Sequence, residues 1–185
     1  MNILCDMDGV LVDFVGPACE SHGKTNPYQN SSAAGSWDIV GLLGMTPGAF
    51  WGPLGHAFWE SLPWMLDGRQ LLESIYDATQ HVYLLTSPTD DPGSLSGKYA
   101  WVKRELPDLR RRLLIGAPKH LCAMPDAVLV DDSDANIDRF SDAGGRTILV
   151  PRPWNSRHAD SHRAVECVVE DLARQYQWEV DNENL

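Results

Sequence analysis

Basic residues are scarce. Lys and Arg total 15 against 26 Asp and Glu in 185 residues, a formal net charge of −11. The surface as a whole therefore repels a nucleic-acid backbone, and no basic run makes a local exception. A protein that coats DNA or RNA is excluded on that balance. Cysteine is sparse too: Cys5, Cys19, Cys122 and Cys167 lie far apart and form no CxxC pair. The chain opens on a strand-like run rather than a signal peptide, so a reducing, cytoplasmic setting is expected. No apolar run approaches the roughly 20 residues a transmembrane helix needs, and a soluble protein with no membrane partner is expected. There is no internal repeat and no low-complexity segment.

What is present is enough chain for one core domain with a modest insertion. Five short apolar runs end in polar or glycine-bearing turns: Asn2 to Cys5, His81 to Leu85, Leu113 to Ile115, Ala127 to Val130, and Thr147 to Val150. Between them lie helical patterns, Gly68 to Thr79 with Leu71, Leu72 and Ile75 on one face, and Lys98 to Leu106 with Trp101 and Val102. A last helix is expected over Ser161 to Trp178, with a frayed tail from Glu179 to Leu185. Strands alternating with helices imply an α/β fold, a three-layer Rossmann-like core around a parallel sheet. The stretch from Val15 to Leu66 breaks the alternation; it is rich in Gly, Pro and aromatics, and Thr46 before Pro47 reads as a helix start. We expect an inserted helical cap over residues 15–66 and a core domain formed by residues 1–14 and 67–185.

Two acidic motifs stand at the ends of two of these strands. Asp6 and Asp8 follow the first run, and Asp131-Asp132 follow Val128-Leu129-Val130. In an open α/β sheet both should reach the carboxyl edge, where ligands bind. A single DxD is commonly a turn or a helix cap. Three or four carboxylates converging on one edge repel one another unless a hard cation holds them, and such oxygen ligands suit Mg²⁺. The second strand ends in Leu85-Thr86-Ser87-Pro88, which offers a hydroxyl and turn amides at the same edge. Lys119 follows the third strand; a lone lysine is more often a solvated surface charge.

DMDGV, then LLTS, then a lysine, then LVDD, in that order, resemble the four motifs of haloacid dehalogenase-type phosphatases, and the match runs from Asn2 to about Val150. Within that superfamily DMDGVLVDF, GKYAWVKREL and FWESLPW resemble the 5′(3′)-deoxyribonucleotidase family. The stretch from Ser133 to Asn136 reads as a more general phosphatase sequence. The resemblance implies that Asp6 is a nucleophile forming an aspartyl-phosphate and Asp8 the general acid and base. It implies Mg²⁺ held by Asp6, the backbone carbonyl of Asp8 and Asp131, with Asp132 in support. Thr86, the Ser87 amide and Lys119 would bind phosphoryl oxygens. Asp8 also favours phosphoryl transfer over carbon–halogen cleavage, since the dehalogenases lack that second aspartate.

Eight of the sixteen aromatic residues fall between Phe14 and Trp64, and that concentration gives two readings of the insert. Large side chains can simply fill the core of a small cap. Some can instead line a slot in which a nucleobase stacks; Phe14 matches an aromatic of the nucleotidase base pocket, and Trp37 and Trp51 are further candidate walls. Phe58, Trp59 and Trp64 are expected in the core. Arg152, Trp154 and Asn155 follow the fifth strand within reach of substrate, or form a plain loop. Cys5 should point into the core as an inert thiol, and His56, His120, His158 and His162 have no metal-ligand spacing that rivals the carboxylates.

The expected function is a Mg²⁺-dependent 5′-nucleotidase acting on deoxyribonucleoside monophosphates. A phosphatase for another small phosphomonoester, such as a sugar phosphate, and a non-catalytic binding protein on the same fold are the alternatives. The expected partner is a small-molecule phosphomonoester rather than a nucleic-acid polymer, and a homodimer is compatible with this reading.

Overall fold

The computed structural model describes residues 1–29, 33–116 and 118–182. Five strands, β1 (Asn2–Cys5), β2 (Val82–Thr86), β3 (Leu113–Ile115), β4 (Ala127–Asp131) and β5 (Arg146–Leu149), form one parallel sheet in the order β3-β2-β1-β4-β5. The chain builds outward from β1 to one side and then restarts at β4 on the other. The switch point therefore falls between β1 and β4, whose carboxyl ends carry Asp6 and Asp131.

Side chains alternate across the sheet as strand geometry requires. Ile3, Cys5, Val82, Leu84, Val128 and Val130 face one layer, and Leu4, Leu85 and Leu129 the other. The first layer is closed by α5 (Gly68–Ala78), α6 (Pro92–Glu105) and α8 (Ala164–Asn182), which bury Leu71, Ile75, Trp101, Val102, Val168 and Leu172. The second is thinner; Phe140 of α7 (Asp134–Asp142) is its fully buried aromatic. Both faces are covered, and the fold is a three-layer α/β Rossmann-like one.

Between β1 and α5 the described chain adds no strand to the sheet but four short helices: α1 (Val15–Ser21), α2 (Ile39–Leu42), α3 (Pro47–Trp51) and α4 (His56–Ser61). Helices this short are unstable alone and must be held by caps and packing. Asp38 caps α2 by accepting from Gly41 N, and Thr46 caps α3 by accepting from Ala49 N, with Pro47 in the first turn. Ile39, Phe50, Leu54 and Trp59 are buried beneath them. α4 crosses α6 at Gly97, where a Cβ would lie 2.5 Å from the His56 carbonyl and 2.6 Å from Trp59 Cβ. Glycine there lets the insert lie directly against the core.

Several expected boundaries shift. β2 begins at Val82 and reaches Thr86, β4 reaches Asp131, and β5 starts at Arg146. α6 starts six residues before Lys98, at Pro92, because Asp91 caps it by accepting from Gly93 N. Its first turns carry Ser94 and Gly97 where an apolar stripe would stand, so periodicity was silent there. The last helix runs from Ala164 to Asn182, past the expected frayed start at Glu179, and residues 183–185 lie outside the described residues. No helix among the described residues is long and apolar enough to cross a membrane.

Arg152 does not stand free toward a substrate. It is buried, and its guanidinium donates to the carbonyls of Gly9 (2.6 Å) and Val10 (3.2 Å) and, through both terminal nitrogens, to Asp67 (2.7 and 2.9 Å). It ties the loop after β1 to the start of α5. Asn155 is likewise buried and donates to the carbonyls of Asp132 and Val150. Arg152→Met should leave a carboxylate and two carbonyls without their donor and cost about 3 kcal/mol. That is a fall in melting temperature of roughly 6–12 °C for a chain of this size. An unchanged melting temperature would remove Arg152 from the framework of the fold.

Candidate active site

Strand geometry delivers the acidic residues to one place. Asp6 leaves β1 with its N–H donating to the Val130 carbonyl at 2.9 Å, and Val150 N donates to the Asp131 carbonyl at 2.9 Å. Asp6, Asp131 and Asp132 each offer a carboxylate oxygen within 4.8 Å of the others. Among the described residues one cation lies between them: Lys119 Nζ is 2.7 Å from Asp6 Oδ1 and 2.7 Å from Asp131 Oδ2. The Asp6 contact is an ion pair outside hydrogen-bond geometry, so Asp6 Oδ1 stays buried and accepts no hydrogen bond. Asp131 is completed by the Ser133 N–H at 2.9 Å and by the Asn136 amide, 3.2 and 3.1 Å from its two oxygens. Asp132 accepts from Trp154 Nε1 at 2.6 Å.

One ammonium does not balance three carboxylates. Burial raises the pKa of Asp132 well above the ordinary carboxylate range, and the charges of Asp131 and Asp6 raise it further. Asp131 is raised for the same reasons, burial first and then Asp6. Burial works against the Lys119 ammonium, but Asp6 and Asp131 outweigh it and hold the group above the usual lysine range. An oxygen-only cluster with excess negative charge and an orphaned carboxylate oxygen fits a hard divalent cation.

Asp6, Asp8, Ser87 and Asp132 floor a cavity of about 940 Å³, large enough for a drug-sized ligand. Phe14, Trp37 and Trp51 are in its wall, with Trp59 and Trp154. Phe14 is buried and stacks on Trp51 (centroids 5.5 Å apart, planes at 15°) and on Trp59 (5.3 Å, 9°). It therefore belongs to both readings, core and wall. Trp37 is 48% exposed, stacks on Tyr28 and meets Trp154 edge-on. Trp59, expected as core, is buried and also lines the cavity. Phe58 and Trp64 pack against the core without lining it.

The remaining expected residues sit around this floor. Asp131 and Lys119 lie beneath it, and Lys119 and Ser87 line a second cavity of about 140 Å³. Ala117, two residues before Lys119, is outside the described residues. Thr86 is fully buried and accepts a hydrogen bond from Lys98 rather than lining the cavity. The Asp8 carboxylate stands apart from the acidic cluster and pairs with Lys98. Cys5 is buried with its thiol donating to the Asp6 carbonyl, and burial followed by the Asp6 charge pushes its pKa up, as an inert thiol requires.

The family model for 5′ nucleotidase, deoxy (pyrimidine), cytosolic type C protein (NT5C) matches residues 1–175. The chain belongs to this family. As an NT5C protein it is a hydrolase of phosphoric monoesters with the haloacid dehalogenase-like fold. Comparison with curated proteins gave no match. Among solved structures, a HAD family enzyme of Bacteroides thetaiotaomicron in a magnesium complex is 17% identical, covering 84% of this chain and 94% of its own, with a TM-score of 0.46. CbbY from Rhodobacter sphaeroides in complex with phosphate is 15% identical over 84% and 88%, with a TM-score of 0.47.

Two residues of this site, Lys98 and Asn136, escaped the sequence reading. Lys98 had a signal: it precedes Trp101 and Val102 by three and four residues, on the buried stripe of its helix, where a lysine must be paired. Asn136 is four residues beyond Asp132 in a helix whose Ser133 cap fixes its direction. Trp154 was placed near the site by its position after the fifth strand, but nothing local says that its indole reaches Asp132 across 22 residues.

Gly9 holds the floor open. It has φ +75°, and a Cβ on it would stand 2.1 Å from Asp132 Oδ2 and 3.1 Å from the Trp154 ring. Gly9→Ala should cost about 1–2 kcal/mol in backbone strain alone and more from displacing Asp132. Thermal unfolding measures this, and a variant as stable as the parent would contradict the geometry.

Proposed function

We propose that the chain is a Mg²⁺-dependent 5′-nucleotidase that dephosphorylates deoxyribonucleoside monophosphates through an aspartyl-phosphate on Asp6, with residues 15–66 acting as a cap over the core of residues 1–14 and 67–185. The observation that carries this is a single cavity with carboxylates on its floor and aromatic rings in its wall. Membership of a deoxynucleotidase family supports it, and the word cytosolic in the family's description supports a cytoplasmic setting.

In the first half-reaction an Asp6 carboxylate oxygen bonds to phosphorus as the bond from phosphorus to the leaving oxygen breaks, and protonated Asp8 gives its proton to that oxygen. In the second, water attacks phosphorus, the phosphorus–Asp6 bond breaks, inorganic phosphate leaves, and a proton from the water returns to Asp8. Lys119 and the Ser87 amide hold and polarise the phosphoryl oxygens, and the buried Thr86 hydroxyl braces Lys98. Asp6, Asp131 and the Asp8 carbonyl would hold Mg²⁺, with Asp132 beside them. Bound there, Mg²⁺ supplies charge neutralisation for the acidic cluster and the phosphoryl group.

Asp6→Asn should leave less than about 1% of wild-type turnover, because a covalent route accounts for many orders of magnitude, and excess chelator should stop the parent. Mg²⁺ at 100 times its Kd should add about 2.7 kcal/mol of stability. The carboxyls of Asp131 and Asp132 have raised folded-state values and must lose their protons to bind the ion, so at one fixed Mg²⁺ concentration the increment should be larger at pH 8 than at pH 5. Full turnover in chelator, or an increment that grows toward acid, counts against the metal.

Substrate choice is tested at Trp37, which is half exposed and can be shortened at little cost to the fold. Trp37→Ala should lower kcat/KM for deoxynucleoside monophosphates by about 5–150-fold, the 1–3 kcal/mol of one stacking face, and leave a small artificial phosphate ester nearly unchanged. Phe14→Ala should depress both, since removing a buried ring costs about 3–5 kcal/mol of stability. Wild-type protein that cleaves sugar phosphates as well as nucleotides would return the chain to a general small-molecule phosphatase.

A further inference from the structure

Lys98 is 2% exposed, a position in which an ammonium survives only if its charge and all its protons are matched. They are. Its Nζ donates to Asp8 Oδ2, to Thr86 Oγ1 at 2.9 Å and to the Ser87 carbonyl at 2.7 Å. Above it lies the Trp59 ring, with Nζ 4.7 Å from the centroid, a cation–π contact that fixes the ammonium from the insert's side. Three donors and three acceptors leave nothing for a phosphate, so Lys98 is no phosphate ligand. What it leaves free is on its partner: Asp8 Oδ1 is buried and accepts no hydrogen bond, and Asp8 lies in the floor of the large cavity.

We propose that Lys98 is the positioning residue for Asp8: by holding Oδ2 between two core loops and the face of Trp59, it aims Oδ1 at the leaving oxygen and then at the attacking water. This rests on the phosphomonoesterase reading of Asp6 and Asp8. Lys98 itself neither gains nor loses a proton. In the first half the proton passes from Asp8 to the leaving oxygen, and in the second it returns to Asp8 from the water.

The consequence depends on the leaving group. A deoxynucleoside must be protonated as it departs, whereas 4-nitrophenolate leaves without a proton. Lys98→Met keeps the apolar stem under Trp59 and removes the ammonium. It should lower kcat/KM for a deoxynucleoside monophosphate by about 100-fold or more, the scale of general acid catalysis, and that for 4-nitrophenyl phosphate by less than about tenfold. Because water attack also needs Asp8, kcat for the nitrophenyl ester should fall, and one equivalent of nitrophenol should appear in a burst. In an Asp8→Asn background Lys98→Met should change neither kcat/KM nor melting temperature by much, because the group it serves is gone. Where the single variant does not fold, the double variant retains a neutral pair, and Lys98→Arg, which cannot place one ammonium among three acceptors, should show the same selective loss. A parallel loss on both esters, or an equal loss with and without the Asp8 carboxylate, overturns the inference while the phosphatase reading stands. Wild-type protein that releases no phosphate from either ester overturns both.

Discussion

Like-charge repulsion at the switch point of the sheet is the constraint that the rest of the molecule is built around. Two unit charges about 5 Å apart repel by roughly 3 kcal/mol at an effective dielectric near 20, and three such pairs together approach 10 kcal/mol. That is comparable with the whole net stability of a domain. Asp6, Asp131 and Asp132 are nevertheless held together, by strands whose ladders fix their backbones and by Lys119, Asn136, Ser133 and Trp154, which take up part of the charge. The remainder appears as raised carboxyl values at Asp131 and Asp132. A site of this kind binds either protons or a cation, and the same electrostatic demand extends naturally to a phosphoryl group, whose oxygens compete for the same positive charge.

The two aspartates of the DMDGV motif are separated by environment as much as by position. Asp6 turns down into the acidic cluster and Lys119, while Asp8 turns aside to Lys98. Two carboxylates two residues apart thus have different counter-ions, a physical basis for giving them different tasks. The insert takes part in that separation. Trp59 covers Lys98 and stacks on Phe14, which stacks in turn on Trp51, so the aromatic wall is mechanically continuous with the charge pair beneath it. Gly97 permits this continuity by letting α4 approach α6 closely.

The strands, the layer architecture and the acidic motifs were legible because each follows from local pattern. A parallel strand buried on both faces is a short apolar run, and a carboxylate directly after it has one place to go. The extended start of α6 was not legible, because Asp91 and Pro92 mark it with caps while Ser94 and Gly97 erase the stripe that periodicity needs. Thr86 was read as a phosphate ligand from its place at a strand end, yet its hydroxyl also belongs to Lys98, a partner 12 residues away on another element.

The sequence by itself determined the chemistry available: a DxD and a DD carboxylate set at two strand ends, a lysine near one of them, and an aromatic-rich insert between the first strand and the rest. These depend on residue identity and on period-2 or 3.6 spacing, which are local. Tertiary structure alone decided which charge meets which. It paired Asp8 with Lys98 rather than with the acidic cluster, buried Arg152 in the framework rather than at the substrate, and carried the Trp154 indole to Asp132. Such pairings are set by side-chain reach between residues 22 to 143 positions apart in the chain, and no local pattern records that distance.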